Sequence, residues 1–310
     1  MKKFKLLFTL SLALSLGFYS CNDDEDDSPT AATPTTTNDD CESDQMLDQS
    51  RGDCTETLTE RSSFTESISG SNVVITANSI PDHRVGLFGS ARGALNPNAI
   101  SAQSESYTIP LSPSESPTLT PLLSTTGQGP TAGPQYSFGI LTNGVELDPI
   151  AAEPFPHEGI MSPNVNWEWN LEATNVNIGL DCNNAHVQPQ GKYHYHGPPN
   201  LFLENANIPD NQMTLVGYAA DGFPIYYLYA YSDANDTNSA VIAMTSSYRL
   251  KSGKRPGDGV TAPCGSYNGV YSADYEYVSG LGLLDEANGR NGITPDFPSE
   301  TVRASCRERV

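Results

Sequence analysis

Basic residues, long apolar runs and helical periodicity are all scarce in this 310-residue chain, and each shortage excludes something. Lysine and arginine total 16 against 37 acidic residues, a net charge of −21, which argues against a basic patch for nucleic acid or an anionic membrane. Beyond the first twenty residues no stretch is long and apolar enough to cross a bilayer core. A Gly-x-Ser-x-Gly elbow, a Walker loop and a His-Glu-x-x-His pair are all missing, so the commonest signatures of a serine hydrolase, a nucleotide-binding loop and a zinc protease are absent. Histidine is rare too: there are five, at positions 83, 157, 186, 194 and 196.

What is present begins with an export signature. Lys2, Lys3 and Lys5 form a basic start, and residues 6–18 an uncharged, mostly apolar run. At about 1.5 Å per residue that run falls well short of a ~30 Å bilayer core. Residues 1–20 therefore read as a cleaved signal peptide rather than an anchor helix. Ser20-Cys21 resembles the end of a bacterial lipobox, with Phe18 and Tyr19 bulkier than usual there. On this reading Cys21 carries the lipid that holds the protein to an outer membrane or cell surface, and the membrane is its first partner. Ordinary secretion, with Cys21 an incidental thiol, is the other reading.

Residues 22–60 hold thirteen acidic residues against the single Arg51, with a Pro/Thr-rich patch at residues 30–37. So little apolar surface and so much like charge predict a disordered, extended tether over residues 21–67. An acidic run directly after the acylated cysteine also resembles the surface-export signal of some Gram-negative lipoproteins; a plain solvated linker is the alternative. Cys41, Cys54, Cys182, Cys264 and Cys306 remain once Cys21 is set aside, and an oxidising compartment suits them. Nearness in sequence suggests a bond between Cys41 and Cys54, and a second between Cys182 and Cys264, leaving Cys306 over.

From about residue 68 charge falls, and Gly, Pro, Asn and Tyr punctuate short apolar runs. That texture predicts a mainly β fold, with α+β as the alternative: one β-sandwich-like or β-rich domain over residues 68–297 with long ordered loops. Strands are expected at residues 72–76, 106–109, 136–141, 246–251 and 270–278. Asn143-Gly144 and Asp221-Gly222 each sit between apolar runs as two-residue hairpin signals. Residues 167–173 are the best helical candidate and residues 200–205 a weaker one. Residues 112–134 and 233–239 read as polar loops.

Three of the five histidines fall within eleven residues, in Asp181-Cys182-Asn183-Asn184-Ala185-His186 and Gly191-Lys192-Tyr193-His194-Tyr195-His196-Gly197. In a strand alternate side chains share a face, so His194 and His196 project together, about 6.6 Å apart along the chain. His186 arrives from a preceding loop, where Pro189 and Gly191 can fold it back towards the pair. Three imidazoles with an open fourth position make a zinc site, and imidazole also suits copper(II). Asp181 or His157 is the candidate fourth ligand, or the acceptor that fixes a ring tautomer. Two other readings stand beside this one. In the first, the histidines are structural, and fifteen tyrosines, two tryptophans and polar loops serve a glycan- or protein-binding module. In the second, a histidine base works without metal in a hydrolase, although no nucleophile is recognisable. Asp274 with Glu276, on one strand face, is a weak candidate carboxylate pair. Residues 233–238 offer oxygen ligands but lack the Gly and Glu of an EF-hand.

These residues resemble the bacterial YHYH family, named for the run at residues 193–196. Further landmarks lie at residues 78–83, 96–98, 143–145, 181, 185–189, 217–226, 247–249, 255–256, 274–277 and 284–290, so the resemblance covers about residues 70–297. It implies one continuous domain and, because the family has no established biochemical function, says little of activity. Ala287 stands where the family often has cysteine, and residues 298–310 look unlike the aromatic, strand-like continuation of its members. Missing closing strands would leave a sheet edge unpaired. Whether the chain is an enzyme stays open at this level, as does its extracellular or periplasmic ligand.

Overall fold

A computed structural model describes residues 41, 47–126, 132–209, 211–296 and the backbone of 302–306, all within the compact unit Asn38–Val310. The signal peptide, Cys21 and the tether up to residue 40 lie outside the described residues.

The fold is mainly β, as the composition predicts, and the α-helix among the described residues is the short Asn200–Asn205. An eight-stranded mixed sheet forms the centre, in the order Ala185–Val187, Tyr193–Tyr195, Glu146–Leu147, Gly139–Leu141, Leu215–Ala219, Pro224–Tyr226, Val302–Cys306, Gly289–Gly292. Smaller sheets flank it rather than closing a barrel. One face of the central sheet buries Leu141, Leu147, Ala185, Val187, Tyr193 and Tyr195 in the largest apolar cluster. On the other face Ile140 packs with Ile75, Ala77 and Ile109 of the three-stranded sheet Phe64–Ser69, Asn72–Ala77, Glu105–Pro110. A third cluster joins Phe155, Trp169 and Leu171 of a separate hairpin to Val270 and Tyr271.

Both expected hairpins form, each with a loop one residue longer than predicted. Gly144 N–H donates to Leu141 O at 2.9 Å, and Leu141 N–H to Val145 O at 3.0 Å. Gly222 N–H likewise donates to Ala219 O at 2.9 Å, and Ala219 N–H to Phe223 O at 2.8 Å. Each is a three-residue loop whose last residue, Gly144 at φ 81° or Gly222 at φ 93°, takes the left-handed region that glycine alone enters without strain.

Four other expectations are corrected. Residues 167–173 are not helical: Asn166–Glu172 is a strand paired with Ile150–Phe155, with Trp167, Trp169 and Leu171 buried and Glu168 exposed between them. Tryptophan favours the pleated surface, and here its alternation outweighs a weak helical period. Residues 270–278 do not run as one strand, because Asp274 closes a 3-10 turn and only Tyr275–Tyr277 is extended. The atypical tail supplies the strand Val302–Cys306, which pairs in parallel with Pro224–Tyr226 and antiparallel with Gly289–Gly292, so Pro224–Tyr226 is not left as an edge.

The fourth correction concerns the tether. Its last residues lie along the domain as a strap. Gly52 N–H donates to Leu180 O at 2.9 Å, Glu56 and Val85 exchange backbone bonds, and Arg51 donates to Asn184 Oδ1 at 2.8 Å and Thr174 O at 2.7 Å. The disulfides join Cys41 to Cys264 and Cys54 to Cys182, not the neighbours in sequence. The Gly52–Asp181 bridge guides Cys54 to Cys182, with their Cα atoms 5.6 Å apart. Composition predicts disorder because it counts only surface to bury; a cross-link and a backbone ladder hold the strap instead. The bonds span 223 and 128 residues, so both remove much freedom from the unfolded chain. Replacing Cys54 and Cys182 together by serine is expected to cost about 2–5 kcal/mol. Urea unfolding measures this, and an unchanged midpoint would mean the cross-link adds no stability.

Candidate metal centre

The strand Tyr193–Tyr195 pairs antiparallel with Ala185–Val187, with Ala185 opposite Tyr195, His186 opposite His194 and Val187 opposite Tyr193. His186 thus comes from a strand, not from a loop as expected. The turn between them is again a three-residue loop: Gln188 N–H donates to Lys192 O at 3.0 Å, Gly191 N–H to Gln188 O at 2.8 Å, and Gly191 sits at φ 90°. His196 lies one residue past the strand, tied by its N–H to Asn184 O at 2.7 Å.

This register puts the three imidazoles on one face. His194 Nε2 lies 3.0 Å from His196 Nε2, and His196 Nε2 lies 3.1 Å from His186 Nε2. Ring centroids are 4.7–4.8 Å apart with interplanar angles of 64°, 88° and 67°, so the rings meet edge-on rather than stacking. A tetrahedral ion with bonds of 2.0–2.1 Å sets its nitrogens about 3.3 Å apart. The His194–His196 and His196–His186 spacings fall within a few tenths of an ångström of that, and the three ligand nitrogens lie within 4.8 Å of one another.

The opposite ring atoms fix the tautomers. His186 Nδ1 faces the carbonyl of Ile178 at 3.1 Å, and His194 Nδ1 faces that of Lys192 at 3.4 Å. A carbonyl accepts only, so Nδ1 carries the proton in both rings, and both Nε2 atoms present lone pairs. Two lone pairs therefore converge on His196 Nε2, where one N–H can satisfy a single neighbour. A cation satisfies all three, and ligating histidines ordinarily donate their other N–H to just such carbonyls.

Burial holds His194 down to about 3, with the neighbouring His186 adding to the effect, and burial also lowers His186. His83 is lowered by burial as well. His186 and His194 are therefore neutral at pH 7, as ligand nitrogens must be. With folded values below the ordinary 6.5, the unfolded chain takes up protons that the folded chain refuses. Their contribution to stability is whole above pH 6.5 and is lost as pH falls from there towards 3. The metal-free protein is expected to lose up to about 1.4 kcal/mol per pH unit through His194. Urea midpoints from pH 7 to 4 should fall less steeply in His194→Gln; equal slopes would contradict the burial effect.

The tyrosines of the motif anchor the other face. Tyr193 donates its hydroxyl to Asp181 Oδ2 at 2.8 Å, and Asp181 also accepts the N–H of Gly86 and of Asn183, each at 2.9 Å. Asp181 is fully buried beneath the tyrosines and is not among the clustered ligand atoms; burial is the main influence on its carboxyl and pushes its pKa up. Tyr195 donates to His83 Nε2 at 2.6 Å and accepts from Asn143 Nδ2 at 2.8 Å, while His83 Nδ1–H donates to Arg84 O. Alternation thus divides the labour: tyrosines lock the strand from one face, and the buried histidines meet on the other.

His157, the other candidate fourth ligand, lies in the Phe155–Tyr271 cluster, where its Nε2 is 3.1 Å from Tyr271 Oη. It does not join the site. Asp274 and Glu276 do not form a carboxylate pair either, since Asp274 binds buried Arg255 and Glu276 the exposed Arg249. Sequence reasoning missed the polar group beside the histidines: Lys192 Nζ bridges Glu146 at 2.8 Å and Glu105 at 3.1 Å, and Glu146 also accepts from Tyr107 and Ser137. Lys192, two residues before His194 in an alternating run, was the available signal.

A family model described as YHYH protein matches residues 106–302. That range contains all three clustered histidines and reaches the closing strand, although the landmarks at residues 78–98 fall outside it. No curated protein and no solved structure matches the chain.

Proposed function

The chain belongs to the YHYH family, and from its converging imidazoles we propose that the domain binds a transition metal through His186, His194 and His196. The observation that carries this is the pair of outward lone pairs on His186 and His194, both directed at His196 Nε2. Three imidazole nitrogens with the paired cysteines elsewhere suit zinc or copper(II) rather than a thiolate-loving ion or a hard oxygen-seeking one. Such an ion supplies Lewis acidity, or redox chemistry in the case of copper. Half-buried His186 leaves the site an approach for a fourth ligand.

The reading extends to location. The signal-like start, the lipobox-like Cys21 and the acidic stretch after it support an envelope lipoprotein whose domain stands off the membrane. The disulfides fit an oxidising, extracellular-type environment, and no helix among the described residues is long and apolar enough to cross a membrane. Elemental analysis of the purified chain tests the metal reading: about one zinc or copper per chain is expected, removable by chelation. A fully metal-free chain that rejects added zinc and copper(II) would favour the binding-module alternative.

A further inference from the structure

The ladder beside the motif carries one residue that completes this site. Glu146–Leu147 runs parallel to Tyr193–Tyr195, with Glu146 opposite His194 and Leu147 opposite Tyr195. Asp148 N–H donates to Tyr195 O at 2.8 Å, the bond that closes the Leu147–Tyr195 pair, so Asp148 and His196 are the next residues along the two chains. Neighbouring residues across a sheet share a face, and a residue before proline favours the extended region, so the alternation carries on to Asp148, which precedes Pro149. Leu147 packs with its partner Tyr195 in the apolar cluster, so Glu146 and Asp148 on either side of it alternate to the histidine face. Glu146 itself is engaged by Lys192, Tyr107 and Ser137. Asp148 is the next acid on that face, and its Oδ1 is buried.

We propose that Asp148 is a positioning residue of the metal site, its carboxylate set beside His196 to orient that ring and to add negative charge next to a bound dication. The proposal rests on the reading of the three histidines as ligands. Asp148 is not one of the clustered ligand atoms, so it acts through His196 rather than on the ion. Carboxylates in this position raise the basicity of the imidazole and fix its orientation, and removing them weakens metal binding about 10–100-fold.

The test titrates the full chain with zinc(II) and cobalt(II) in wild type, Asp148→Asn and Asp148→Glu. Asp148→Asn should still take up one equivalent, bind about 10–100-fold more weakly and shift the visible cobalt bands. Asp148→Glu should recover most of the affinity, and the metal-free melting temperature should barely change. Asp148→Ser repeats the measurement should the amide variant fail to fold. If wild type binds and Asp148→Asn matches it in affinity and spectrum, this role is overturned and the histidine site stands. If wild type takes up no metal, both readings fall.

Discussion

Replacing His194 and His196 together by alanine should reduce bound zinc or copper from about one per chain to none. Both rings give their Nε2 to the cluster, and their removal leaves His186 as a single imidazole on the Ala185–Val187 strand. Four-ligand structural zinc sites bind with about 10–16 kcal/mol, so each ligand contributes on the order of 3 kcal/mol, roughly a hundredfold in affinity. Losing two should take binding down by about four orders of magnitude, beyond any chelator competition. The fold should survive, because the tyrosines that anchor the same strand point the other way, to Asp181 and His83. Far-ultraviolet circular dichroism and unfolding curves check that the variant is folded when its metal content is measured. The protein must retain residues 41–60, because a domain cut at residue 61 loses Cys41 and Cys54 and with them both disulfides. A folded double variant that keeps its metal would end the proposal for this site.

A second large effect is expected far from the histidines. Asp274→Asn should cost about 3–5 kcal/mol, because it leaves the Arg255 guanidinium charged and buried without its counter-ion. Arg255 and Asp274 have fully buried side chains. Arg255 donates Nε–H to Asp274 Oδ1 at 2.7 Å and Nη2–H to Oδ2 at 2.6 Å, a bidentate pair. The same guanidinium donates to Cys264 O at 2.9 Å and Asn268 Oδ1 at 2.6 Å, and lies over the Tyr271 ring at 5.0 Å. Asp274 also accepts the Gly269 N–H at 2.9 Å. One ion pair thus holds the loop that carries Cys264 against the cluster of Trp169 and Tyr271. For a domain of this size the loss should appear as a fall of roughly 10 °C in melting temperature. Replacing both partners by apolar residues of similar volume should cost much less, since it removes the stranded charge. Equal losses in the single and double variants would show that packing, not the charge pair, dominates here.

The sequence by itself determined what depends on neighbours along the chain. Strand pleating makes alternate residues share a face, so Tyr193, His194, Tyr195 and His196 announce two tyrosines on one side and two histidines on the other. The turn glycines Gly144, Gly191 and Gly222 mark the hairpins for the same local reason, that only glycine enters the left-handed region cheaply. Where two local periods compete, as in residues 167–173, local reasoning chose the wrong one and burial decided. The tertiary structure alone decided which segments meet across long stretches of sequence. It turned Asp181 inward to Tyr193 and sent His157 to Tyr271. It also bonded Asp148 to Tyr195 beside His196 in the chain, joined Cys54 to Cys182 and Cys41 to Cys264, and laid an acidic strap against the domain. The physical reason is that pleat and turn geometry are fixed within a few residues, whereas partners beyond that reach are chosen by the path the whole chain takes in burying its apolar surface.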